Sequence, residues 1–149
     1  METEFAYYNT TFGIIEIGYN KNVIVSISFS QKASQSTPSF LTEKTILQLN
    51  EYFNKKRTSF DIPIEPKGTV FQKKVWNALL KIPYGQTKTY KEIAEIIGNK
   101  NATRAVGMAN NKNPIAIVIP CHRVIGTNGK LTGYAGGLDK KEKLLLLEK

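Results

Sequence analysis

The sequence predicts an α+β fold in two parts, a small N-terminal α/β domain over residues 1–67 and a mainly helical domain over residues 68–149. Three observations carry this. Alternating and β-branched residues fill much of the first thirty positions, helical apolar stripes dominate beyond residue 68, and the break between them coincides with a change in charge. Residues 1–67 hold seven Lys/Arg and seven Asp/Glu, whereas residues 68–149 hold fourteen and five. The whole net charge of +9 therefore lies in the second part, scattered among apolar residues. That is the electrostatic footprint of a polyanion-binding domain, with nucleic acid the first candidate.

Each element follows from its own residues. Ile15-Glu16-Ile17-Gly18-Tyr19 alternates, Asn20-Lys21-Asn22 reads as a turn, and Val23 to Phe29 alternates again, which predicts a β-hairpin. Residues 30–40 are polar and loop-like, and Ile46, Leu49 and Phe53, with Leu47 and Tyr52, give a helical stripe across Thr42 to Lys56. Pro63, Pro66 and Gly68 discourage regular structure and mark the domain boundary. Thr69 to Gln72 is a capping-box pattern opening a long helix that Pro83-Tyr84-Gly85 closes. Thr89 to Ile97 is a second helix ending at Gly98, and Ala102 to Asn110 is a third. Two short helices joined by a tight turn in a basic domain suggest a helix-turn-helix. An apolar run from Ile115 to Ile119, a glycine-rich loop from Gly126 to Gly137 and a closing helix from Leu138 to Glu148 complete the chain.

Some classes are disfavoured by composition. No run approaches the roughly 18 apolar residues of a membrane span, and the N-terminal residues carry no signal-type core. A cytoplasmic protein without a membrane partner is expected. One cysteine cannot close an internal disulfide, and one cysteine with one histidine falls short of a structural zinc site, so neither metal nor cofactor is expected.

That cysteine and that histidine are neighbours, Cys121 and His122, inside VIPCHRVIG. A thiol must ionise to attack, and an ordinary thiol pKa near ~8.5 leaves little thiolate at neutral pH. The imidazole is the obvious base. In an extended segment adjacent side chains point to opposite faces, so a bridging water or a kink after Pro120 has to connect the two. The imidazole also needs an acceptor on its other nitrogen, and Glu92, Glu95, Asp139, Glu142 and Glu148 are all available in this domain. Spacing alone does not choose among them. The competing reading is a small buried cysteine and a structural histidine.

The segment NPIAIVIPCHRV at 113–124 resembles the active-site signature of the O6-alkylguanine-DNA alkyltransferases. Phe71 to Gly85 with Thr89-Tyr90, then Arg104-Ala105-Val106-Gly107, then Gly133 to Leu138, and finally Glu148 fall in the same family's order and spacing. Residues 69–148 resemble the family closely and residues 1–67 only in kind. The resemblance implies a ribonuclease H-like N-terminal domain, a winged-helix-like C-terminal domain and a monomer bound to double-stranded DNA.

It further implies one irreversible transfer of methyl from O6-methylguanine, or O4-methylthymine, to Cys121 after the damaged nucleotide is flipped out. His122 would take the thiol proton through water, Glu148 would orient His122, and Asn113 would brace the turn carrying Cys121. Tyr90 would serve N3 of the base and the neighbouring phosphate. Tyr134 would serve O6, with Ala135, Gly136 and the Val124 backbone around the base. Arg104 would fill the gap in the stack. Ala102, Ala105, Gly107 and Ala109 would make a small-sided helix suited to the minor groove. Zinc-binding relatives use Cys and His ligands in the N-terminal domain, which residues 1–67 lack. Ala135 stands where some relatives have serine and Ala116 where some have proline, which bears on alkyl groups larger than methyl. The competing readings are a lesion-marking protein without transfer, a helix-turn-helix regulator and a cysteine hydrolase.

Overall fold

The computed structural model describes residues 2–149, which form two compact units. The first comprises the residues up to Lys67 together with Pro114–Ala116, and the second comprises Gly68–Asn113 and Ile117–Lys149.

In the first unit, β1 (Glu4–Thr10), β2 (Gly13–Asn20) and β3 (Val23–Ser30) form an antiparallel meander in the order β1-β2-β3. The expected hairpin is therefore the inner part of a three-stranded sheet. Ala6, Ile15, Ile17 and Ile27 are buried, and so is Ile24 beyond a register shift at Gly18/Tyr19. The α1 helix (Phe40–Phe53) starts two residues earlier than its apolar stripe suggests, because Ser39 caps it by accepting from the Thr42 amide. It ends before Lys56, and Lys55 sits at φ 62 just beyond. Buried Ile46, Leu49, Tyr52 and Phe53 form its inner stripe.

The outer edge of β3 carries two single bridges. Ile24 pairs with Ile64, and Ile27 pairs with Ile115, where the Ile27 amide donates to the Pro114 carbonyl and the Ala116 amide donates to the Ile27 carbonyl, each at 2.9 Å. The apolar run after the third predicted helix thus contributes a short edge segment here.

The second unit contains α2 (Val70–Leu79), β4 (Lys88–Thr89), α3 (Tyr90–Ile96), α4 (Thr103–Asn111), a 3-10 turn (Cys121–Arg123), β5 (Val124–Ile125) and α5 (Leu138–Leu147). Thr69 closes a capping box with Gln72 as expected, but α2 has only ten residues and ends ahead of Pro83. Thr89 and Ala102 prove to be N-caps and not first helical residues. Trp76 is buried under α4, and its Nε1 donates to the Ala109 carbonyl at 2.9 Å. That bond fixes the helix of the pair α3/α4 that shows Arg104 outward. No helix among the described residues is long and apolar enough to cross a membrane.

Candidate active site

Cys121 does not lie in an extended segment. Pro120 adopts φ −80, ψ 64, an inverse γ-turn in which the Cys121 amide donates to the Ile119 carbonyl at 2.8 Å. The chain then winds through one 3-10 turn, so the expectation of opposite-facing neighbours is replaced by the kink after Pro120. Two amides brace it. Asn113 Nδ2 donates to the Ile119 carbonyl at 2.8 Å, and Asn110 Nδ2 donates to the Cys121 carbonyl at 3.3 Å. Ile117, buried at φ 72, holds a left-handed conformation that a β-branched residue adopts only under strain.

His122 is fully buried and its Nε2 lies 2.7 Å from Glu148 Oε2. Among the five carboxylates, the fold brings Glu148 to the imidazole. A carboxylate only accepts, so Nε2 carries the proton and Nδ1 keeps its lone pair. His122 Nδ1 is buried without a hydrogen-bond partner among the described residues. Burial holds the imidazole below its ordinary pKa, and the opposing pull of Glu148 is the smaller effect. Arg123 adds a smaller push in the same direction as burial. Its Nε and Nη2 each lie 2.9 Å from a Glu148 oxygen, and its Nη1 donates to the Ile82 carbonyl at 2.7 Å. Burial first, and the guanidinium on the carboxylate second, favour the neutral imidazole.

The thiol is buried as well. Burial pushes Cys121 up to about 11, opposed by the Asn113 amide and by the charge of Lys141. The fold therefore favours Cys121 as a thiol, next in the chain to a neutral imidazole.

Tyr90 opens α3, and its hydroxyl donates to the Thr132 carbonyl at 2.9 Å. Burial raises its pKa and that of Tyr134, whose hydroxyl is buried and unpartnered among the described residues. The Cys121 charge adds to the rise at Tyr134, whereas Ala135 is exposed and Gly136 half-buried. Val124 is buried at the end of the 3-10 turn, its amide donating to the Cys121 carbonyl. On α4, Arg104 and Ala105 are exposed, while Gly107 is half-buried near the Tyr90 ring. Ala102 is half-buried ahead of the helix. Ala109 departs from expectation. It is buried, and its carbonyl accepts from Trp76 Nε1.

Three participants escaped the reading of the sequence: Arg123, Asn110 and Lys141. Lys141 had a visible signal, since Lys141, Leu144 and Glu148 fall three and four residues apart on one helical stripe, and all three are buried. Its neighbours in DKKEK disguise it as one more solvated cation.

Fold and site together define a two-unit protein with a buried cysteine-histidine-glutamate centre packed behind a helix-turn-helix. Residues 70–149 match the DNA binding domain of 6-O-methylguanine DNA methyltransferase, and residues 4–66 match its ribonuclease-like domain. The chain belongs to the 6-O-methylguanine DNA methyltransferase family. The methylated-DNA–protein-cysteine methyltransferase of Methanosarcina acetivorans is 67% identical over 101 residues, 68% of this chain and 65% of that protein, just under two thirds of its length. That of Mycolicibacterium paratuberculosis is 44% identical over 98% of this chain and 92% of its own. Mycobacterium tuberculosis OGT in complex with DNA superimposes with a TM-score of 0.91 at 43% identity, covering 97% of this chain and 92% of that one.

Proposed function

We propose that this chain repairs DNA by direct reversal, taking the methyl group of O6-methylguanine, and of O4-methylthymine, onto Cys121 in a single irreversible step. The observation that carries the reading is His122, neutral and buried, tied through Nε2 to Glu148 and with Nδ1 open on its other side. A water between Nδ1 and the thiol would pass the Cys121 proton to the imidazole. The thiolate sulfur then forms a bond to the methyl carbon as the carbon–O6 bond breaks, and its electron pair remains on guanine. Guanine takes a proton and leaves restored. The thioether has no easy leaving group, so the protein acts once. Glu148 holds the tautomer and steadies the imidazolium, and Asn113 keeps the Cys121 turn in place.

Tyr134 suits the O6 side, because its unpartnered hydroxyl can donate to the oxygen on which charge develops. Tyr90 suits N3, and Ala135, Gly136 and Val124 the edge of the base. Reaching O6 requires flipping the nucleotide out of the stack. Exposed Arg104 would occupy the gap, with Ala105, Gly107 and Ala102 allowing close approach to the minor groove. Buried Ala109 takes no part. A monomer working in the cytoplasm suffices for this chemistry. The two units correspond to a lead domain and a DNA-binding transfer domain.

The test mixes the protein with duplex DNA containing O6-methylguanine and measures intact protein mass. One methyl gain, stoichiometric with lesion and lost in Cys121→Ala, is expected. Tight binding without mass gain would overturn the proposal in favour of a lesion-marking protein.

A further inference from the structure

Four buried side-chain polar atoms have no hydrogen-bond partner among the described residues: Ser26 Oγ, Asn110 Oδ1, His122 Nδ1 and the Tyr134 hydroxyl. Ser26 lies in β3 of the first unit. The transfer reaction gives His122 and Tyr134 their partners but leaves Asn110 Oδ1 without one. A buried acceptor with no donor costs stability, and its persistence calls for a donor that arrives from outside the chain.

Asn110 is 1% exposed and belongs to the last turn of α4. Its orientation is fixed by its other end. Nδ2 donates to the Cys121 carbonyl at 3.3 Å, and a carbonyl only accepts, so turning the amide over would set two oxygens against each other. Oδ1 is therefore the open atom. Tyr90 lies close by: burial raises its pKa, and the side chains of Thr132 and Asn110 oppose that rise at its hydroxyl. Asn110 thus stands between the backbone of the nucleophile and the phenol that suits N3 of the base.

Alkylation at O6 strips guanine of its N1 proton, which makes the exocyclic 2-amino group the one N–H donor left on the base. That amino group sits on the carbon next to N3. An open acceptor beside Tyr90 matches it. We propose that Asn110 Oδ1 accepts a hydrogen bond from the 2-amino group of the flipped O6-alkylguanine and so makes the site prefer guanine lesions to bases that lack this group. The inference rests on the alkyl-transfer reading and deepens it. Discrimination comes chiefly from the wrong base, because a base without a donor enters the site and leaves the buried oxygen unpaired. O4-methylthymine carries no N–H donor and is therefore the poorer substrate of the two.

The experiment measures single-turnover methyl transfer from duplexes carrying O6-methylguanine or O6-methylhypoxanthine, the same base without its amino group. Wild type should react about tenfold faster with O6-methylguanine, and Asn110→Leu, which has the same shape and no acceptor, should bring the ratio close to one. Thermal unfolding confirms that the variant folds. Asn110→Ala takes its place should Asn110→Leu not fold, and the wild-type ratio is a test in its own right. A wild type that does not distinguish the two bases would overturn the proposal. So would an Asn110→Leu protein slowed equally on both, since a purely structural asparagine affects the two alike. Tight binding of the O6-methylguanine duplex without methyl gain would refute alkyl transfer, and the same ratio taken from dissociation constants would then decide the Asn110 contact.

Discussion

Arg123 grips Glu148 through two nitrogens, Nε on one carboxylate oxygen and Nη2 on the other, each at 2.9 Å. The grip adds to what burial does at the third partner, because the guanidinium's charge beside the carboxylate also disfavours a proton on His122. Removing Arg123 takes a charged partner with two hydrogen bonds away from a buried carboxylate. Arg123→Ala should therefore cost about 3–5 kcal/mol of stability. Urea unfolding checks this, with the midpoint falling and the slope unchanged.

His122 is the only histidine, so the pH window near neutrality reports on it. Its folded pKa lies below its ordinary value of 6.5 because burial disfavours the imidazolium. The unfolded chain then binds the proton first as pH falls. The His122 contribution to stability should be level above pH 6.5, decline as pH drops from there toward the folded pKa, and be fully lost only below it. Urea midpoints measured across this range should show the step in the wild type and lose it in His122→Gln.

Arg104 is exposed on α4. Arg104→Ala should change stability by no more than about 0.5 kcal/mol. Transfer from lesion duplex should slow at least tenfold, while reaction with free O6-methylguanine base is unaffected, since only the duplex needs flipping. Single-turnover rates on the two substrates decide it, and equal losses would contradict the role.

Gly85 and Gly98 share almost the same backbone, φ +80 and +81, but a Cβ at Gly85 would lie 3.1 Å from the Glu148 carbonyl whereas one at Gly98 would meet nothing within 4 Å. Gly98→Ala should cost about 1–2 kcal/mol, the left-handed penalty alone. Gly85→Ala should cost more and also slow transfer, because the Gly85 amide donates to Glu148 Oε1 at 3.2 Å. Parallel unfolding and transfer measurements on the two variants separate strain from contact.

What the sequence disclosed was local. Strand alternation at Ile15–Tyr19 and Val23–Phe29, the Thr69–Gln72 cap and the stop at Gly98 all depend on residues a few positions apart. β1 was missed because EFAYYNT is aromatic and polar by turns, and its pairing with β2 is what makes it a strand. Within the site, Cys121 and His122 were legible as rare neighbours, and family order singled out Glu148. Arg123 and Lys141 were not legible, because a buried cation looks like a surface one until its partners arrive from residues 25 and 9 positions away.

The bridge between Ile27 and Ile115 fixes an order of events during synthesis. The first unit is not finished when its own 67 residues have emerged, since Pro114–Ala116 completes the outer edge of β3. Until residue 116 leaves the ribosome, the backbone of Ile27 stays open on that side, and an unpaired strand edge is a template for other chains. A gene truncated between these points would yield a sheet prone to aggregate and not a stable half-protein.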